Sequence, residues 1–173
     1  DDYACLIAAL LDLFEMSQEP RFLREALRLE SEGAEAFADS IHGGYFMVRH
    51  DHEPLLAKQK PFMGGAEPAG NAVMAMNLLR LYALKLDRTH YDRLDALLKS
   101  IGPRIKNMPS LYGELLLISQ RHQQSVKQLL IVSPVHPSQS RALVEAYPGM
   151  NPEGLTALEL NESQRAELED LLP

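Results

Sequence analysis

The sequence predicts a mainly α protein built of antiparallel helical hairpins, followed by a small C-terminal α/β appendage. Three observations predict it. Apolar residues recur at helical spacing through most of the chain, one helix–turn–helix plan returns after about 68 residues, and short apolar runs bounded by Ser and Pro appear only late. The helical-hairpin domain is assigned to residues 1–124 and the appendage to 125–173.

Leu6, Leu10, Leu13 and Phe14 lie at helical spacing with Asp12 and Glu15 off that stripe, so residues 2–16 read as a helix that stops at Ser17–Pro20. Residues 21–37 form its more charged partner, with Phe22, Leu23, Ala26, Leu27, Leu29 and Ala34 as apolar positions. The stretch 42–61 is too rich in Gly, Pro and polar residues for a helix; Tyr45–Arg49 and Leu55–Lys60 are expected to pair as a short ribbon. A Gly/Pro-rich loop containing Gly64, Gly65, Pro68 and Gly70 then opens a second apolar helix, 72–86, with Met74 and Met76 as core filling. Its partner is 91–101, carrying Leu94, Leu97, Leu98 and Ile101.

Placing Leu10, Leu11, Leu13 and Phe14 beside Leu78, Leu79, Leu81 and Tyr82 superposes the two hairpins, and Phe22 meets Tyr91 if the second turn is one residue longer. Each unit pairs an apolar helix, which must be covered on several sides, with a charged one that faces water. Residues 110–120, introduced by Pro109, supply a third apolar helix without an outer partner. Val126–Val132 and Leu155–Leu160 read as strands, parallel if joined by an ordinary crossover through a helix at Ser138–Ala146. Residues 162–172 read as a final helix capped by Asn161.

Composition excludes several classes of function. The net charge is −7, and no Lys/Arg cluster offers a surface for phosphates, so nucleic acid is not an expected partner. The longest apolar run, Tyr3–Leu11, is far shorter than the roughly 20 residues that cross a bilayer, so no membrane helix is expected. Cys5, the single cysteine, has no CxxC partner; its apolar neighbours predict a buried core thiol, and a reducing compartment, the cytoplasm, is favoured. The chain opens almost inside a helix, which predicts a piece of something longer.

If the apolar helices run the same way, their N-terminal ends gather, each bringing unpaired amides and a positive dipole end. Asp1, Asp2 and Tyr3 stand at the first of these ends, Glu67 and Asn71 at the second, and Ser110, Tyr112 and Glu114 at the third. Carboxylates, an amide and phenols suit recognition of a sugar or polyol, and Asp2, Tyr3, Glu67, Asn71 and Tyr112 are the candidate ligand-binding residues. The same residue types serve as helix caps, so a noncatalytic structural or interaction module is the alternative. His50, Asp51, His52 and Glu53 place two imidazoles on alternate residues, yet no third ligand is fixed by spacing, and an exposed polar turn explains them. Gly64 and Gly65 lack the Gly-Lys-Ser/Thr continuation of a phosphate loop. No metal, cofactor or catalytic residue is assigned.

Four segments in order, DDYACLIAALLDLFE, SQEPRFLREAL, HGGYFMV and GGAEPAGNAVMAMNLLRL, resemble the helical part of the thioredoxin-domain-containing proteins of the spermatogenesis-associated type. The likeness runs from about Asp1 to Val132. It implies a six-hairpin α/α toroid like those of glycosidases and sugar epimerases, preceded in that family by a thioredoxin-like domain. The family's entrance motif, Asp-Gly-Ala-x-Pro-Ser-Gly-Asn-Ser, departs here to Gly64, Gly65, Ala66, Glu67, Pro68, Ala69, Gly70, Asn71 and Ala72, so an acid and two hydroxyls are replaced. Two hairpins and a lone apolar helix make only part of such a ring. Its open flanks are expected to self-associate or to meet the missing N-terminal part of the ring.

Overall fold

The computed structural model describes residues 1–53, 57–124, 126–133, 155–161 and 165–172. The helices are α1 (Asp2–Ser17), α2 (Pro20–Phe37), α3 (Gly70–Lys85), α4 (Arg88–Asn107), α5 (Gly113–His122) and α6 (Arg165–Glu169); a 3-10 turn, Pro109–Tyr112, leads into α5. The strands β1 (Lys127–Ser133) and β2 (Leu155–Asn161) pair in parallel, from Lys127 opposite Leu155 to Ser133 opposite Asn161. Both strands and their direction match the sequence reading. The crossover helix expected at Ser138–Ala146 lies outside the described residues.

α3 is the centre of the helical layer. It packs between α1 and α5, and α2 and α4 back α1 and α3 respectively. Ala72, Met74, Ala75, Leu78, Leu79, Leu81, Ala83 and Leu84 are all buried, so α3 is covered on every side, as its nearly unbroken apolar sequence requires. α1 runs parallel to it: Asp1 abuts Gly70, the Asn77 side chain donates to the Ala4 carbonyl at 2.7 Å, and Arg80 reaches Asp12 at 2.8 Å and Glu15 at 3.0 Å. α2 returns antiparallel, bringing Phe37 near its end onto Tyr3 at the start of α1, ring centres 5.5 Å apart.

The internal repeat is sharper in three dimensions than in sequence. α1 and α3 are both 16 residues long, and each ends on a residue in the left-handed region, Gln18 at φ 57° and Leu86 at φ 52°, whose amides bond Phe14 O and Tyr82 O. The next helices begin at Pro20 and Arg88 after extended caps, Glu19 and Asp87. The two turns are thus equal in length, and Phe22 corresponds to His90. The expected match with Tyr91 through a longer second turn is corrected.

Other expectations also change. α4 continues through Pro103 to Asn107 instead of ending at Ile101, because the carbonyl deprived of its partner belongs to exposed Lys99 and can be hydrated. Among the described residues of the 45–60 stretch no strand forms. Met47 N donates once to Gln59 O at 2.9 Å, but Tyr45 bridges Ala38, and residues 54–56 lie outside the description. Asn161 is the last residue of β2; α6 is described over Arg165–Glu169, and residues 162–164, the expected start of the final helix, lie outside the described residues.

In α1 the buried stripe is Ala4, Ile7, Leu11 and Phe14, so Leu6 and Leu13 are exposed at 51% and 46%, and Cys5 is exposed too. The buried thiol is corrected by helical phase: Cys5 shares with Leu6, Ala9, Leu13 and Met16 the face opposite the core. The appendage docks on the far end of α3, where Gln128 Nε2 donates to Ala83 O at 2.6 Å and Leu84 O at 2.9 Å, satisfying carbonyls that the helix end leaves unpaired. Buried Leu168 and the Arg24–Glu167 pair at 3.2 Å fix α6.

Candidate functional site

The N-terminal ends of α1, α3 and α5 lie at one end of the layer, and two clefts open between them. The first, of about 210 Å³, lies where α1 and α3 begin. Asp1, Asp2, Tyr3, Phe37, Phe46 and Asn71 are among its walls. The second, of about 300 Å³, lies between the 64–68 loop and the start of α5, and Glu67, Tyr112 and Glu114 line it. The structure therefore brings Asp2, Tyr3 and Asn71 together and places Glu67 and Tyr112 in a neighbouring cleft.

The first cleft depends on close backbone approach. A side chain at Gly70 would collide with Asp1, so only glycine lets α3 start this near α1. Gly43 and Gly44 adopt φ of 75° and 77°. A Cβ at Gly43 would overlap the Ala96 carbonyl of α4, and one at Gly44 would press on Phe62 at 3.1 Å and on Asn71 Oδ1 at 3.2 Å. This turn is pinned from below by Asp39, which accepts from Ile41 N and His42 N, both at 3.0 Å, and from Lys60 Nζ at 2.8 Å. Burial pushes the Asp39 carboxyl up, but these donors outweigh it and hold the group well below the usual carboxylate range.

Asn71 does not cap its helix; Ala69 holds the cap position. Its buried amide instead faces the loop: Oδ1 accepts from Tyr45 N at 2.8 Å, and Nδ2 donates to Tyr45 O and Pro61 O, both at 2.9 Å. Both amide protons are thereby used within the fold, and the residue shapes the cleft by holding its far wall. Asp1 and Asp2 are exposed, and neither carboxylate has a hydrogen bond or ion pair with another described residue. Tyr3, half-buried, stands edge-on to Phe37 and covers Gly33, where a Cβ would come within 3.3 Å of its ring. Two free carboxylates beside aromatic rings can accept hydroxyl protons and cover C–H surfaces.

Sequence reasoning missed Phe37, Tyr45 and Phe46 as cleft walls, because a loop of unpredictable register carries two of them. It also missed a buried ionic cluster behind the cleft. Glu30 of α2, 3% exposed, receives Arg93 at 2.6 Å and faces His90 Nε2 at 3.6 Å. Burial raises the Glu30 carboxyl, yet His90 and Arg93 together bring it below the ordinary value. Among the described residues the buried Tyr45 hydroxyl has no hydrogen-bond partner, and burial, reinforced by Glu30, pushes its pKa up. The available signal was phase: Glu30 lies on the stripe of Leu23, Ala26 and Ala34, and His90 on that of Leu94, Leu97 and Ile101.

His50 and His52 are separately engaged, His50 Nε2 with Ala38 O at 3.0 Å and His52 Nδ1 with Glu53 O at 3.1 Å. Among the described residues no group of three or more His, Cys, Asp or Glu is placed to hold a metal ion, and no helix is long and apolar enough to cross a membrane.

Over 146 residues, 84% of the chain, the sequence is 35% identical to spermatogenesis-associated protein 20 of Rattus norvegicus and equally to that of Homo sapiens. The chain is related to spermatogenesis-associated protein 20. It spans only 18% of the rat protein and 19% of the human one, so it corresponds to a limited part of each. An uncharacterised Caenorhabditis elegans protein is 27% identical over 123 residues, 71% of the chain and 17% of that protein. No protein-family model matches the chain. The likeness to spermatogenesis-associated protein 20 carries no stated activity, so the reading of the clefts rests on their chemistry.

Proposed function

We propose that the chain is part of a six-hairpin, glycosidase-like α/α toroid and that it binds a sugar or polyol where its inner helices begin. The observation that carries this reading is the cleft at the joint N-terminal ends of α1 and α3, with the free carboxylates of Asp1 and Asp2 beside the rings of Tyr3, Phe37 and Phe46. The parallel order of α1, α3 and α5, with antiparallel α2 and α4 behind, supports the toroid. The proposed setting is the cytoplasm, and a thioredoxin-like domain elsewhere in the full-length protein belongs to the same proposal. The reading is one of binding: Glu67 and Asp2 sit in different clefts, and no catalytic pair is assigned.

Titration calorimetry with a panel of neutral monosaccharides and polyols tests it. Binding that is lost in Asp2→Ala and Tyr3→Ala, both of which retain the wild-type fold, supports the site. Absence of heat across the panel, or binding indifferent to both substitutions, removes it.

A second reading is favoured by one observation. Leu6, Leu13 and Met16 of α1 and Leu116 and Leu117 of α5 are exposed at the two edges of the helical layer. Apolar surface of this kind suits a noncatalytic interaction module whose edges meet another part of the ring or a second copy. Light scattering across concentrations tests self-association: a rising mass supports it, and a constant monomer mass counts against it.

A further inference from the structure

We infer that the protein has a second binding site, a groove on its outer face between α2 and α4 that takes an organic cation, an ammonium or a guanidinium group. The site is separate from the clefts at the inner-helix ends and does not rest on the sugar or polyol reading. α2 packs on α1 and α4 on α3, and the two outer helices are bridged by Glu30, which faces His90 and Arg93. From that bridge to the Gly43–Gly44 turn, which lies against the Ala96 carbonyl, a space of about 710 Å³ opens. Ala34, Ala38 and Ala96 line it with little side chain, and its size suits a small organic guest.

Tyr45 points to a guest in this groove. Asn71 grips its main chain, while its side chain lines the groove and brings the hydroxyl into the field of Glu30 and Arg93. The residue is 8% exposed, yet among the described residues its hydroxyl has no hydrogen-bond partner, where a phenol so buried ordinarily finds one. The potential at that oxygen is negative, because Glu30 acts on it more strongly than Arg93 does. A cation set against it gains from that field and donates the missing hydrogen bond. The hydroxyl is shut off from solvent as the groove stands; an outward swing of the half-exposed Arg93 side chain admits the guest, whose own charge then balances Glu30. The lining carries the same sign. Glu35, Asp39 and Asp92 stand around the single guanidinium of Arg93, which Glu30 already holds, so an anion has no free partner there. Asp39 and Asp92 are paired with Lys60 and Arg88, whereas Glu35 has no ion pair with any described residue and is free to meet the guest.

Amide chemical-shift titration at low ionic strength tests the site on the wild-type chain and on Tyr45→Phe and Glu35→Gln. Two probes distinguish the source of the cation: spermidine for a free amine, and a capped Gly-Arg-Gly tripeptide for a protein side chain. Saturable shifts at Gly44, Tyr45, Asp92 and Arg93 are expected, and the probe that binds more tightly identifies the source. Tyr45→Phe, which removes only the unpaired hydroxyl, is expected to weaken binding about fivefold while leaving the thermal midpoint at or above that of the wild type. Glu35→Gln is expected to weaken it about threefold. A hydroxyl that serves the fold alone would lower the midpoint in Tyr45→Phe and leave binding unchanged, which overturns the inference. Shifts from neither probe, or equal affinities in all three proteins, overturn it as well.

Discussion

Asn71 holds the main chain of Tyr45 through both of its polar groups, accepting from the amide at 2.8 Å and donating to the carbonyl at 2.9 Å, so a residue at the start of α3 fixes the loop that walls the cleft. Asn71→Ala leaves the buried amide of Tyr45 and two carbonyls without partners and is expected to cost about 3 kcal/mol. Asn71→Asp is expected to cost more, because it sets a carboxylate against the carbonyls of Tyr45 and Pro61. Thermal unfolding of both variants checks the order.

The Gly43–Gly44 turn predicts a contrast among glycines. Alanine at either position meets a left-handed backbone together with a crowded neighbour, and a loss of about 2 kcal/mol or more is expected. Gly65→Ala enters open space at ordinary φ and should stay within about 0.5 kcal/mol of wild type. Denaturant midpoints of the three variants, measured side by side, decide this.

Much of this architecture was legible beforehand, for reasons specific to its residues. The apolar surround of Leu78, Leu79 and Leu81 marked α3 as the covered helix, and the return of the hairpin plan exposed the repeat. Phase within α1 was not legible, because Leu6, Leu10 and Leu13 are as apolar as Ile7 and Leu11; only packing against α2 and α3 chooses the face. Asn71 at a helix start reads as a cap until the loop that it grips is seen. Glu30 was hidden because its partners, His90 and Arg93, lie on a different hairpin, and sequence spacing carries no information about that contact.

Glu30 is expected to govern acid stability. Its folded carboxyl titrates below the unfolded value of about 4.3, so its contribution is complete above that pH and is lost as pH falls through the folded value. Glu30→Gln should flatten the stability profile below about pH 4.3. Glu30→Ala, which removes the partner of half-exposed Arg93 and of buried His90, should cost about 1–3 kcal/mol at neutral pH. Urea unfolding at a series of pH values measures both.

Cys5 provides a test of helical phase in α1. On the exposed face it should react with a thiol reagent in the native protein at a rate close to that of the unfolded chain. Protection by several orders of magnitude would place it in the core and rotate the helix.

The central claim, that the joint N-terminal ends of α1 and α3 form a sugar or polyol site, is tested most directly by amide chemical-shift mapping with a panel of sugars. Saturable shifts confined to Asp2, Tyr3, Phe46, Gly70 and their neighbours are predicted. An unchanged spectrum across the panel, or saturable shifts clustered away from these helix starts, would contradict it.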